Sequence, residues 1–328
     1  MKTKFITLIL VLFSLGLDAG PKVDVTFKSG GLLLTGTLYL PKGDGPFPAV
    51  VFVHGSGPET RDNSSYSAKW MASIGYAALA YDKRGSGKSE GEPSESSRFR
   101  FEDLASDVVA AVNFLSQRDD IEESKIGVHA ASQGGWVAPL AASKTSTIAF
   151  MIIKSASVCS VGEDNIFERS SRLRREGFSK VEIEEASELQ RVEPKTTDDK
   201  NDDFTALFEK QKDKLWFSRV YGGRDPFSKT LTDYRKWYAT IATFSSVPYL
   251  EKSAIPIFWI FGDPVLDQLG PVEQSLETLD ALKKAGKPYV IASYEDEGHN
   301  VKEKKYEQQL YDWLKEVNNY SSFKFKKH

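Results

Sequence analysis

Hydrophobic positions along this chain fall into strand-length runs and helical stripes that alternate. Residues 23–28 and 32–40 read as two strands joined across Ser29-Gly30-Gly31, a hairpin turn signal, so the sheet begins antiparallel. The runs at 49–53 and 77–81 are apolar without interruption and are separated by enough chain for a helix. Strands apolar on both faces belong to a parallel sheet covered by helices. Phe101, Leu104, Val108, Ala111, Val112 and Leu115 then step by threes and fours, the stripe of an amphipathic helix. Further strands follow at 125–129, 148–153, 256–261 and 289–293, the last two flanking a helix marked by Val272, Leu276, Leu279 and Leu282. Tyr306, Leu310, Trp313, Leu314 and Val317 mark a closing helix. The pattern predicts an α/β protein: a doubly wound, mostly parallel sheet with an antiparallel N-terminal hairpin, its chemistry expected at the carboxyl ends of the strands.

The interval 162–250 breaks this rhythm, with no convincing buried strand. Ser179-Lys180-Val181-Glu182 is a capping box, and Phe204, Leu207, Phe208 and Leu215 mark another helix. Between them the charged, proline-punctuated stretch 193–203 reads as a loop. The interval is expected to be a helical cap inserted between two parts of the core, 20–161 and 251–328. Its aromatics, among them Trp216, Phe217, Tyr221, Trp237 and Phe244, are expected chiefly to pack the cap.

Residues 1–19 change the picture of location. Lys2 and Lys4 precede an apolar run at 5–17, the order of a signal peptide, and the run is shorter than the roughly 20 residues a membrane span needs. Cleavage is expected after Ala19, although Leu17 is larger than the residue preferred there. That predicts an exported protein, periplasmic or secreted, with no stable membrane anchor after cleavage. Cys159 is the only cysteine, which excludes an intrachain disulfide and suits a small buried hydrophobe. A net charge of −3 offers no basic field for a phosphate backbone, so nucleic acid is not an expected partner.

The informative stretch for chemistry is 126–136, where Ser132 sits between a strand and a helix start, with Ala130 two residues before it and Gly134 two after. A nucleophile on so sharp a turn needs small neighbours, because larger side chains would collide as the chain reverses. The usual pattern is G-x-S-x-G, and Ala130 departs from it by one methyl group. A serine hydroxyl needs a base, and the chain has four histidines. His328 lies in the tail, His129 on the strand before Ser132, and His54 in the loop His54-Gly55-Ser56-Gly57-Pro58. His299, directly after the last strand, emerges beside the serine turn and is the expected base. Oxyanion donors are expected from the backbone N–H of Gln133 and from that of Ser56. Gly85-Ser86-Gly87-Lys88-Ser89 ends like a phosphate-binding loop, but the first glycine of that motif would fall on Asp82, so nucleotide binding is not expected. No pair of histidines has metal-ligand spacing.

Taken in order, the HGSGP loop, the segment Tyr81 to Ser89, the Ser132-Gln133-Gly134-Gly135 turn and a late Gly298-His299 resemble the α/β-hydrolase superfamily over about residues 23–317. Within it the chain is similar to bacterial esterases related to the dienelactone hydrolase, prolyl oligopeptidase and acyl-CoA thioesterase branches. The resemblance implies hydrolysis of a small-molecule acyl substrate by a serine carboxylesterase-like enzyme without metal or organic cofactor. A peptidase, a thioesterase or a catalytically silent binding protein are the alternatives. It also implies an acid in the loop 262–271, where the usual offset from Gly262 falls on Val265. Counting back from Pro271 selects Asp267, with the loop about two residues longer than usual; Asp263 is the alternative acid.

Overall fold

The computed structural model describes residues 19–92, 100–193, 202–222 and 229–324. The expected signal segment falls outside the described residues up to residue 18, as do His328 and most of the expected loop, 194–201.

β1 (Lys22–Ser29) turns back through Gly30 and Gly31 into β2 (Leu32–Tyr39), with Ser29 opposite Leu32. Both glycines have positive φ, 54° and 88°, which a two-residue turn matching the strand twist requires and a Cβ would resist. β3 (Phe47–Val53), β4 (Ala77–Tyr81), β5 (Ile121–Ala131), β6 (Ile148–Lys154), β7 (Ile257–Gly262) and β8 (Tyr289–Tyr294) complete an eight-stranded sheet in the order β1-β2-β4-β3-β5-β6-β7-β8. The pairings β1–β2 and β2–β4 are antiparallel; all those from β4 across to β8 are parallel. β5 begins four residues before the expected 125, because Ile121 pairs with Phe47 ahead of a register shift. Its first turn of sequence is polar and partly exposed, so hydrophobicity gave no sign of it.

α1 (Ser65–Ser73) joins β3 to β4, α2 (Phe101–Ser116) precedes β5, and α3 (Gly134–Ala142) precedes β6. Between β6 and β7 lie α4 (Val161–Arg175), α5 (Lys180–Val192), α6 (Asp202–Gln211), α7 (Phe217–Tyr221), α8 (Lys229–Ile241) and α9 (Val247–Lys252). α10 (Val272–Lys284) separates β7 from β8, and α11 (Glu303–Lys324) closes the chain.

The strand period of two divides the core between the sheet's faces. Val50 and Phe52 of β3 pack with Trp70, Met71, Trp313 and Leu314 from α1 and α11, whereas Ala49, Val51 and Val53 pack with Val108, Val112 and Leu279 from α2 and α10. Each such fully buried large side chain contributes about 1.5–3 kcal/mol. The helical interval has a separate apolar centre containing Leu173, Leu189, Phe204, Phe208, Trp216, Phe217 and Tyr221. Phe244 instead stacks on Phe101 of α2 at 4.2 Å, fastening the interval to the sheet domain. Ser179 caps α5 by accepting from the Glu182 N–H, as the sequence signature requires.

After β3 the sheet winds outward through β4, then restarts on the other side with β5. The crevice at this reversal, above the carboxyl ends of β3 and β5, is where open α/β sheets hold their ligands.

Candidate active site

Ser132 stands directly after β5 with φ at +50°, a left-handed conformation that costs a serine of order 1–3 kcal/mol. Its N–H donates to Lys154 O at 2.9 Å, and α3 starts two residues later. The small neighbours are needed for contact reasons. A Cβ on Gly134 would lie 2.9 Å from Val53 O and 3.1 Å from the Ala130 Cβ; one on Gly135 would lie 2.2 Å from the Ala156 Cβ. Ala130 therefore tolerates its methyl because Gly134 leaves the adjoining space empty.

His299 lies on the loop after β8 and places Nε2 3.2 Å from Ser132 Oγ. Its Nδ1 is 3.0 and 3.1 Å from the two carboxylate oxygens of Asp267, which is only 1% exposed. With Nδ1 protonated, the ring donates to Asp267 and accepts from the serine hydroxyl. The two loops can touch because Gly262 and Gly298 lack side chains: a Cβ on Gly262 would lie 2.3 Å from Gly298 O, and one on Gly298 would lie 3.0 Å from Leu266 O.

The acid loop explains the shifted spacing. Asp267 N–H donates to Asp263 O at 2.8 Å, so residues 263–267 form one turn, and the Asp263 carboxylate caps it by accepting from the N–H groups of Val265 and Leu266. That turn carries Asp267, rather than Val265 or Asp263, to the histidine. Among the other histidines, His54 is buried with Nε2 2.6 Å from Tyr81 O, and burial lowers its pKa to about 4. His129 is buried against Phe52, and burial lowers its pKa to about 3. Burial holds both neutral, His54 just after β3 and His129 on β5.

The loop after β3 reaches over Ser132, for a Cβ on buried Gly55 would lie 3.6 Å from the Ser132 Cβ. Burial raises the pKa of Glu59 in this loop against the opposing pull of the Gly55 backbone and of the Lys83 and Lys154 charges. The exposed Ser56 of this loop is its candidate oxyanion donor. Gln133, buried at the start of α3, is the other.

Three polar side chains at this site were not singled out by sequence reasoning. Glu59 is one. Lys83, buried at the end of β4, donates from Nζ to Gly55 O, Gly57 O and Gln133 Oε1. Asp164, in the first turns of α4, accepts from the Ser157 hydroxyl and feels the charges of His299 and Asp267; burial raises its pKa to about 7. A lysine directly behind a fully apolar strand was the available signal for Lys83. Cys159 is buried, and burial pushes its thiol pKa up, so it is an inert packing group.

The Gly85-Ser86-Gly87-Lys88-Ser89 loop closes around a carboxylate. The Lys88 N–H donates to Asp82 Oδ2 at 2.8 Å, and Ser89 Oγ donates to Asp82 O at 2.6 Å. Among the described residues no cluster of His, Cys, Asp and Glu could hold a metal ion, and no helix is long and apolar enough to cross a membrane.

Residues 44–299, which reach from the approach to β3 through the histidine, match the Hydrolase_4 family, described as serine aminopeptidase, S33. The chain belongs to this family. Esterase EstD of Thermotoga maritima is 32% identical over 128 residues, 37% of this chain and 30% of that protein. The aligned part is thus less than a third of the esterase's length. An esterase from Pyrococcus furiosus has the same fold, with a TM-score of 0.59 and 17% identity over 92% of each chain. The acylaminoacyl peptidase of Pyrococcus horikoshii matches with a TM-score of 0.52 and 19% identity, covering 94% of this chain and 42% of that one. This S33 member therefore has the α/β-hydrolase fold, with esterases and peptidases among the proteins it resembles.

Proposed function

We propose that this S33 hydrolase cleaves the acyl bond of a small molecule, a carboxylic ester first, through an acyl-enzyme on Ser132. The observation carrying the reading is the series Ser132 Oγ, His299 Nε2, His299 Nδ1 and Asp267, in contact at 3.2 and 3.0 Å. His299 takes the hydroxyl proton as Ser132 Oγ bonds to the carbonyl carbon, and the carbonyl oxygen becomes an oxyanion held by the N–H groups of Ser56 and Gln133. The oxyanion collapses, the bond to the leaving group breaks, and His299 returns the proton to it. Water, deprotonated by His299, then releases the acid and restores Ser132. Asp267 holds the imidazole tautomer and stabilises the imidazolium. An ester is placed before an amide on the partial likeness to EstD; the family description and the peptidase of the same fold support amide cleavage as the second reading.

Two kinds of variant test the assignment. Ser132→Ala should abolish turnover and fluorophosphonate labelling while leaving the unfolding temperature intact. Asp267→Asn should lower kcat by about 10⁴-fold with little change in KM, whereas Asp263→Asn should stay within about tenfold of wild type, as a turn substitution would. Retained activity in Ser132→Ala removes the serine-nucleophile reading. A crippled Asp263→Asn beside a normal Asp267→Asn removes the acid assignment. Initial rates on matched ester, thioester and aminoacyl-arylamide substrates then rank the bonds.

A further inference from the structure

Lys83 is 4% exposed, a strongly desolvated place for an ammonium group, and it lies against the site rather than against a distant acid. Its Nζ donates to Gly55 O at 2.6 Å, to Gly57 O at 3.3 Å and to Gln133 Oε1 at 2.9 Å. The Gly55 carbonyl belongs to the same peptide group as the Ser56 N–H. The Gly57 carbonyl fixes the other side of Ser56, and the Gln133 side chain belongs to the residue whose N–H is the second donor. The geometry points to Lys83 as a positioning residue of the oxyanion hole, which locks the Gly55–Gly57 loop to Gln133 and polarises the Ser56 amide through its own carbonyl.

The physical basis is the chain ammonium N–H to Gly55 C=O, through the peptide bond, to Ser56 N–H and on to the oxyanion. Hydrogen bonds in series polarise one another, and in a buried setting each strengthens the next. An N–H whose carbonyl partner is bonded to a cation carries more positive charge. It therefore gains most when the substrate oxygen becomes fully negative, so the contribution falls on the transition state rather than on substrate binding. Holding both donor segments to one Nζ also fixes their spacing before substrate arrives. Asp82, the acid beside it in sequence, is committed to Arg61 and to the Lys88 N–H, and the partly buried Glu59 carboxylate is the nearby acid whose charge Lys83 offsets.

This inference rests on Ser132 being the nucleophile of an acyl transfer, and the test separates the two. In the full-length protein, wild type, Lys83→Met and Lys83→Gln are compared for kcat and KM on an ester substrate and for unfolding temperature. They are also compared for inhibition by an arylboronic acid, whose tetrahedral serine adduct carries an oxygen into the hole. Loss of a direct oxyanion donor costs about 10²–10³-fold in kcat, so weakening two donors indirectly should cost about 10–10²-fold. Lys83→Met is expected to lose this in kcat with KM within about twofold, and to weaken boronate binding by a similar factor. Lys83→Gln, which keeps a donor without the charge, should fall between Met and wild type, and it decides the matter if the methionine variant does not fold. Wild-type kcat in either soluble variant, or a kcat loss without weaker boronate binding, overturns the role for Lys83 and leaves the hydrolase reading standing. A wild-type protein that neither turns over the substrate panel nor takes a fluorophosphonate label overturns both.

Discussion

Ala130 and Gly134 share one volume under Ser132, and their neighbour Gly135 has less room still. The Ala156 Cβ stands 2.2 Å from where a Gly135 side chain would begin, and neither methyl is at the end of a flexible chain that could move aside. Gly135→Ala should therefore destabilise the fold by about 1–3 kcal/mol, the ordinary cost of overpacking a tight contact. A urea melt with an unchanged midpoint would show that α3 slides without penalty. At this scale Ser132 and His299 were readable from sequence because turn chemistry and position after strands constrain them, while the acid was legible only as a choice between Asp267 and Asp263. Glu59, Lys83 and Asp164 were not, since their surroundings come from chain segments distant in sequence.

Among the elements, charge ties the described part of the link from β4 to α2, residues 82–92. Arg61 pairs with Asp82 at 2.8 Å, and the Arg84 guanidinium clasps Asp107 of α2 with two bonds of 2.7 Å. Asp107 is 1% exposed, so truncating it strands a largely buried guanidinium. Asp107→Ala should lower stability by about 3 kcal/mol, the low end for breaking a buried pair because Asp103 still lies 3.1 Å from Arg84 Nη1. Asp107→Asn, which keeps an acceptor, should lose less. Equal midpoints for wild type and Asp107→Ala in guanidinium chloride would refute this account of the loop. The same network explains how a glycine-rich GKS segment arises without phosphate: Gly87 has φ +55°, and its missing side chain makes room for the Asp82 carboxylate.

For the whole molecule, the contact between the helical interval and the sheet domain carries a pH dependence. Asp164 of α4 faces Ser157, with Glu168, His299 and Asp267 as the charges around it. Burial raises its pKa from 3.8 to about 7, so between those values the folded protein holds a proton that the unfolded chain has released. Stability should fall as pH rises through this window, because ionisation in water favours the unfolded chain while the buried folded carboxyl stays protonated. Asp164→Asn removes the titration: its unfolding temperature should match wild type near pH 4 and exceed it increasingly towards pH 8. A difference that stays constant from pH 4 to pH 8 would show that Asp164 is ionised throughout.

The linear chain determined the alternation of strands and helices, the small residues around Ser132, and the capping box at Ser179. Each depends on side-chain period or on steric demands within a few residues. It also put Asp267 ahead of Asp263 as the acid without settling the choice, because a one-turn insertion cannot be told from a shift of register without the hydrogen bonds that close it. Tertiary structure decided that choice through the Asp263 cap and the approach of Gly262 to Gly298. It alone brought Lys83, just after β4, against the loop after β3 and the start of α3. Three segments far apart in sequence meet there because parallel strands bring their carboxyl ends to one edge of the sheet, and no local pattern encodes that meeting.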